Sequence, residues 1–409
     1  MSISKRRLAM TGALAEPGLH RLLDVLSSGG DRTLLVGGAV RNALIGYPIS
    51  DIDLATTARP YTVVERAAEA GMRAIPTGID HGTVTVISEG QSYEVTTLRE
   101  DVETDGRHAT VHFGSDFAKD AARRDFTINA LYADASGEVF DYVGGLDDIL
   151  FRRVRFIGHA QERIREDYLR ILRFFRFSAD YAGGEMDKEG LRAIEEEKSG
   201  LQKLSAERVR SELFKLLLAR RAVPVLMAMS HRGLFDLLID LPVSVEAIEA
   251  LLAQDPGADA LLRLAALCLH RPDDALALKE RLRLSNAEAE RMMQMAQALT
   301  RLSGLSRPLT EASLRKLAFR LGRHTVREAL EIDAARRSYT IRSEYYAAIG
   351  GAPTVSPFTG DMLIRRGVQP GRMMGDIIRR AEDGWMDADF PAAPDRLQII
   401  LNEAIAHLS

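Results

Sequence analysis

"LLVGGAVRNALIGYPISDIDLATTARP", residues 34–60, runs from a strand-like segment through a Gly-Gly turn and a short helix to two aspartates one residue apart. In a strand, side chains two apart share a face, so Asp51 and Asp53 present both carboxylates to one point. Two like charges held together require a cation between them. Magnesium takes one or two carboxylates together with substrate phosphates, and a pair of such ions about 3.5–4 Å apart clamps both oxygens of a phosphoryl displacement. Gly37 and Gly38 allow a phosphate close to the backbone, and the helix that follows turns its positive end toward the same place. A D-x-D string alone also describes a solvated turn; the glycine turn before it favours a metal-triphosphate site. Glu94, in "SYEVTTLR", is the best-placed third carboxylate, with an exposed cross-strand charge as the plain alternative.

The rest of the chain bounds this reading. Its 409 residues are enough for two or three domains, and 46% apolar with 27% charged residues is an ordinary globular composition. No apolar run approaches the ~18 residues of a membrane span, and the opening segment has basic residues but no signal-peptide pattern. The single cysteine, Cys268, excludes an internal disulfide, reads as a buried helix residue and suits a reducing, cytoplasmic setting. The net charge of −4 argues against a generally basic nucleic-acid coat. Charge is nevertheless segregated, because arginine exceeds acidic residues between Arg152 and Phe177 and again between Arg307 and Tyr346.

Up to about residue 150 the pattern alternates strand-like and helix-like pieces, with hairpins expected at Glu89-Gly90 and Ser136-Gly137. An α+β head with a mixed, largely antiparallel sheet is therefore expected, followed by helices nearly to the end. "RRDFTINALY", residues 123–132, offers Arg123 and Arg124 for phosphate charge, Asp125 as acceptor for a ribose hydroxyl, and Asn129 as donor and acceptor together. A carboxylate on the 2′-hydroxyl would favour ribonucleotides. In "ERIREDYLRILRFFRF", Glu166, Asp167 and Arg170 are spaced to lie side by side on one helical turn. Cytosine and adenine each show an amino donor beside a ring-nitrogen acceptor, so a carboxylate next to a guanidinium complements both. Guanine and uracil show the reverse order and leave the pair mispaired.

These motifs together resemble the polymerase-beta-type nucleotidyltransferases, in the class II branch of CCA-adding tRNA nucleotidyltransferases and bacterial poly(A) polymerases. The resemblance implies a metal role for Asp51 and Asp53, with Glu94 also catalytic. It implies nucleotide binding by Gly37, Gly38, Arg41, Arg124, Asp125 and Asn129, and base reading by Glu166, Asp167 and Arg170, with Glu166 orienting Arg170. Where this chain has Asn42 the family usually has aspartate, which removes a charge at that position. "SAERVRSELFKLL", residues 205–217, resembles the next helical motif; its Glu207, Arg208 and Arg210 read equally well as surface charges.

The family further implies a head (1–150), a helical neck that reads the base (151–225), a helical body (226–320) and an RNA-binding tail (321–409). The expected reaction is template-independent addition of CCA to the 3′ end of tRNA from CTP and ATP, with Mg2+ as cofactor and pyrophosphate as product. The polar stretch from Arg99 to Asp116, including Asp105, Gly106, Arg107 and His108, corresponds to the loop associated with the change from C to A. The tail resembles the part that holds the acceptor and T-arm side of tRNA. Three other readings stay open: a poly(A) polymerase, a partial CC- or A-adding enzyme, and an RNA-binding protein on an inactive scaffold. Membrane partners are not expected, and the sequence sets no oligomeric state.

Overall fold

The computed structural model describes residues 7–79, 82–101 and 111–407. The chain divides into two compact units, the first ending at Leu204 and the second beginning at Ser205.

The first unit is built on a seven-stranded sheet. Its strands are β1 (Thr33–Val36), β2 (Asp53–Thr56), β3 (Arg73–Gly78), β4 (Thr83–Ser88), β5 (Gln91–Thr97), β8 (Leu131–Ala133) and β9 (Val139–Asp141), in the order β3-β4-β5-β2-β1-β8-β9. The short strands β6 (Arg99–Asp101) and β7 (Val111–Phe113) pair separately. Every neighbouring pair in the large sheet is antiparallel except β2 with β5, which is parallel. The sheet is thus mixed and largely antiparallel, and its one parallel pair sets Asp53 directly opposite Glu94.

The hairpins lie at the expected turns. Glu89 and Gly90 both take positive φ between β4 and β5, the conformation that matches the right-handed twist of a two-residue hairpin. Gly137 has φ +82° and sits so close to the carbonyl of Leu8 that a Cβ there would collide with it. The interior of the sheet is apolar, with Leu34, Val36, Ala55, Ala130 and Tyr132 packed on Phe117 and Ile157. Helices α1 (Pro17–Leu26), α2 (Gly38–Ile45), α3 (Pro60–Glu69), α4 (Phe117–Ala122) and α5 (Gly145–Leu150) accompany the strands, and α6 (Ala160–Glu166), α7 (Leu169–Tyr181) and α8 (Lys188–Glu197) complete the unit.

One expected element is interrupted. The pattern of residues 162–177 predicts a continuous helix, but α6 ends at Glu166 and α7 starts at Leu169. Asp167 between them is extended (φ −155°, ψ 104°), and its Oδ1 accepts the backbone N–H of Leu169 (3.1 Å). An aspartate satisfies an otherwise orphaned helix-start N–H better than it fills a helix interior. The side chain that spacing placed within a helix therefore opens one.

The second unit is helical from α9 (Ala206–Leu217) to α21 (Pro394–Ala406). Within it α16 (Glu311–Leu321) and α20 (Arg372–Asp387) are joined by apolar packing of Phe319 on Trp385 and by ion pairs Lys316–Asp387 (2.8 Å) and Arg320–Glu382 (3.0 Å). Arg307 and Arg337 both pair with Asp333, and Arg327 pairs with Glu331. Much of the positive charge counted between Arg307 and Tyr346 is thus neutralised internally. Arg210 likewise pairs with Glu288. Cys268 is fully buried, as its apolar surroundings in the sequence require. Among the described residues no helix is long and apolar enough to cross a membrane.

Candidate active site

β1 ends at Val36, and the chain reverses at Gly37 with φ +70° and ψ −122°, a conformation that glycine alone adopts without strain. The Gly37 N–H donates to the carbonyl of Leu131 (3.1 Å), tying the turn to β8. Helix α2 then starts at Gly38 without a side-chain cap, so its first N–H groups are left for a ligand or solvent.

Asp53 opens β2, whereas Asp51 lies two residues before the strand, with its Oδ2 accepting the hydroxyl of Ser50 (2.8 Å). The expectation of a shared strand face is corrected to this extent: the sharply defined carboxylate pair is Asp53 with Glu94, across the parallel register. Both are exposed. Partial burial, Glu94 and Asp51 all push the Asp53 carboxyl above its ordinary range, opposed by Arg124. Three carboxylates with one nearby guanidinium leave negative charge to spare, which fits a divalent cation bound by oxygen. Among the described residues no group of three or more His, Cys, Asp or Glu side chains forms a metal cage. An ion here would take its remaining ligands from substrate oxygens and water.

Arg124 is aimed by groups the sequence reading did not single out. Asp120, 1% exposed, accepts Arg124 Nε (3.1 Å) and Nη2 (3.0 Å) through Oδ2, the Tyr132 hydroxyl through the same oxygen (2.6 Å), and Arg123 through Oδ1. Burial alone would raise the Asp120 carboxyl, but Arg124, Arg123 and Tyr132 outweigh it and hold it below the ordinary range. The third nitrogen, Nη1, lies on the Gly37 side, 3.8 Å from where a Cβ on that glycine would sit. The i,i+4 spacing of Asp120 and Arg124 was the available signal.

Asp125 is held still more tightly. Its Oδ1 accepts the backbone N–H of Phe126 (2.8 Å) and Asn129 Nδ2 (3.0 Å), while its Oδ2 accepts Arg173 Nε (2.8 Å) and Nη2 (2.6 Å). Burial raises this carboxyl, but Arg173 and the other donors bring it below the usual value. Asn129 Oδ1 in turn accepts Arg41. Arg41 is 7% exposed, donates to Asn42 Oδ1 (3.1 and 3.0 Å) and to the Tyr181 hydroxyl (2.7 Å), and lies 4.0 Å from the Tyr181 ring centre. Burial lowers its guanidinium from the ordinary arginine range. Asn42 uses its amide on both sides, accepting from Arg41 and donating to the carbonyl of Pro48 (2.8 Å), which a carboxylate could not do.

On the segment expected to read the base, Glu166 pairs with both Arg163 (2.7 Å) and Arg170, and Arg170 Nη1 donates to the Arg163 carbonyl (2.8 Å). Glu166 thus bridges the two guanidinium groups of Arg163 and Arg170. Asp167 stands at the break before α7 rather than within a helical turn. Asp105, Gly106, Arg107 and His108 lie outside the described residues.

Two family models match: the poly A polymerase head domain over residues 33–155 and the probable RNA and SrmB-binding site of polymerase A over residues 185–243. The CCA-adding enzyme of Streptococcus gordonii is 32% identical over 393 residues, covering 90% of this chain and 93% of that protein. This chain belongs to the CCA-adding enzyme family. The mitochondrial CCA tRNA nucleotidyltransferase 1 of Homo sapiens is 46% identical over 208 residues, 50% of this chain and 48% of that protein. The match thus spans about half the length of the curated mitochondrial relatives. The crystal structure of the Bacillus stearothermophilus CCA-adding enzyme in complex with CTP superposes with a TM-score of 0.76 at 26% identity, covering 96% of this chain and 98% of that one. Family membership agrees with the mixed sheet and the helical remainder.

Proposed function

We propose that this protein adds C, C and A in turn to the 3′ end of tRNA without a nucleic-acid template, taking the nucleotides from CTP and ATP and releasing pyrophosphate. The observation that carries the reading is the parallel pairing that faces Asp53 with Glu94 beside the Gly37–Gly38 turn and Arg124. Carboxylates short of positive charge lie next to phosphate-binding groups there, as nucleotidyl transfer requires.

In this reading Asp51, Asp53 and Glu94 are the catalytic carboxylates, with Asp51 and Asp53 as metal ligands. Magnesium, when bound, increases the acidity of the attacking ribose hydroxyl and neutralises the departing pyrophosphate. Gly37, Gly38, Arg41 and Arg124 hold the triphosphate, and Asp125 with Asn129 holds the ribose. The terminal ribose oxygen of the tRNA attacks the α-phosphorus as the bond from that phosphorus to the pyrophosphate oxygen breaks. Arg170, steadied by Glu166, and Asp167 accept C and A and refuse G and U by hydrogen-bond polarity. The neck, body and tail divisions at 151–225, 226–320 and 321–409, a cytoplasmic setting, and an acceptor-arm contact by the tail belong to the same proposal.

The description of the matching head family favours a second reading, a poly(A) polymerase. One experiment separates them. A tRNA transcript lacking CCA is incubated with magnesium and CTP, ATP or both, and products are resolved to single nucleotides. Two additions with CTP and a third only with ATP present are expected. A ladder of adenosines on many RNAs would instead mean poly(A) synthesis, and no extension would leave an RNA-binding scaffold.

A further inference from the structure

The second unit carries a cavity of about 390 Å³ lined by Arg323, His324, Arg327, Tyr346, Ile349 and Gly350. The first three come from the start of α17 (Arg323–Arg337) and the others from α18 (Ser343–Gly351). Small-molecule sites typically enclose about 300–1,000 Å³, so the space suits a ligand larger than a simple ion. None of these residues has a part in the nucleotidyl transfer proposed above.

The cationic side chains of this cavity are fixed from behind. Arg323 grips the carbonyl of Ala352 through Nε (2.9 Å) and Nη2. Arg327 Nε donates to Glu331 Oε1 (2.8 Å), and His324 Nε2 lies 3.2 Å from Glu328 Oε1. The Glu331 and Glu328 side chains are only 2% and 3% exposed, against 56% for Arg327 and 75% for His324. Negative charge is therefore held inside while positive charge faces the solvent. Arg323 goes further, because its anchor is a neutral carbonyl oxygen and leaves its charge to spare. Glu331 also accepts the Tyr346 hydroxyl (3.4 Å), so one buried carboxylate steadies both the arginine and the aromatic ring beside it.

We propose that this cavity binds a free nucleotide by its terminal phosphate, with Arg323 and Arg327 on the phosphoryl oxygens and the base against Tyr346 and Ile349. Guanidinium groups held in place by fixed acceptors present their remaining N–H groups in the fork that matches phosphate oxygens. A terminal phosphate carries about −1.5 to −2 charge and three acceptor oxygens. A phosphodiester within RNA carries a single charge and two free oxygens, so two guanidinium groups in one cavity favour the terminal group. The Tyr346 ring and Ile349 supply the apolar surface that a phosphate alone would leave uncovered. The ligand is thus a phosphate that bears a planar group.

Photolabelling of the full chain with 8-azido-AMP, with labelled peptides identified by mass spectrometry, tests the site in wild type, Arg323→Gln and Arg327→Lys. Label is expected within residues 343–351, displaced by AMP at a concentration about tenfold lower than by adenosine, the scale of one charge-assisted hydrogen bond. Arg323→Gln is expected to weaken the apparent affinity for the label about tenfold on the same scale, with nucleotide incorporation unchanged. Arg327→Lys keeps the charge beside Glu331 but loses the fork, and is expected to weaken it about threefold; it decides the matter if the glutamine variant does not fold. Absence of label on α18, equal displacement by adenosine and AMP, or unchanged labelling in the folded variants would each overturn the site. Displacement by a dephosphorylated tRNA transcript but not by AMP would overturn the free nucleotide and make the cavity a contact for the RNA backbone.

Discussion

Two sets of carboxylates in the first unit are built on opposite plans. Asp53 and Glu94 face each other across the sheet, with Asp51 nearby, and partial burial together with the repulsion of Glu94 and Asp51 pushes the Asp53 carboxyl up. Asp120 and Asp125 are enclosed and carry full sets of arginine, tyrosine, asparagine or backbone donors that hold them down. The same residue type thus makes a vacant charge in one place and a strut in the other. Spare acceptor capacity marks where a ligand cation belongs; saturation marks what aims the other groups.

The largest effect should come from the unsaturated set. Asp53→Ala is expected to reduce nucleotide incorporation by about a thousandfold or more, since the carboxylate proposed to hold the metal would act directly on the developing charge. Binding of tRNA, followed by gel shift, should survive. Thermal stability measured without metal should hold steady or rise, because the substitution relieves repulsion at the site. A marked fall in melting temperature would place Asp53 with the struts.

Asp120→Ala should do the reverse. It strands Arg124 and leaves the Tyr132 hydroxyl without its acceptor, and breaking a buried pair of this kind costs about 3–5 kcal/mol. Denaturant unfolding would register it. The sign of the pH dependence follows from the direction of the shifts. Asp120 and Asp125 both lie below the ordinary 3.8 when folded, so their stabilisation is present above that value and is lost as pH falls through the folded values. Acid unfolding of wild type should therefore be steeper below about pH 4 than that of Asp120→Ala.

Asp167→Asn tests the base-reading end at smaller scale. The amide preserves the cap on Leu169 but can turn a donor toward the base. A fall of about ten- to a hundredfold in the preference for CTP over UTP is expected, measured as the ratio of kcat/KM values. An unchanged ratio would confine Asp167 to its capping role.

What the sequence made legible follows the range of the interactions. The Gly-Gly turn and the hairpins at Glu89-Gly90 and Ser136-Gly137 are written in adjacent residues, so local rules found them. The break at Asp167 was hidden because apolar periodicity continues across it through Ile164, Leu169 and Leu172, all buried on either side. Arg173 and Tyr132 were hidden because their meaning depends on partners brought near only by the sheet and α7. The parallel β2–β5 pair belongs to the same class: Glu94 could be proposed as a neighbour of Asp53, but the register that faces them is set by the whole sheet.

The smallest predicted effect separates the backbone's part in the site from that of the side chains. A Cβ on Gly37 would meet only ordinary contacts, 3.7 Å from the Asn129 carbonyl oxygen and 3.8 Å from Arg124 Nη1. Space is available, so the cost of Gly37→Ala lies in forcing an L-residue to φ +70°, ψ −122°, about 1–3 kcal/mol. If Gly37 is glycine for its conformation alone, unfolding free energy should fall by that amount while KM for CTP, measured on the folded fraction, stays near wild type. If the glycine also gives a phosphate access to the backbone beside Arg124, KM should rise several-fold as well, because the added methyl lies between the Asn129 carbonyl and the guanidinium. The ligand-site reading requires the second result, which would make the turn part of the vacant half of the site rather than another strut.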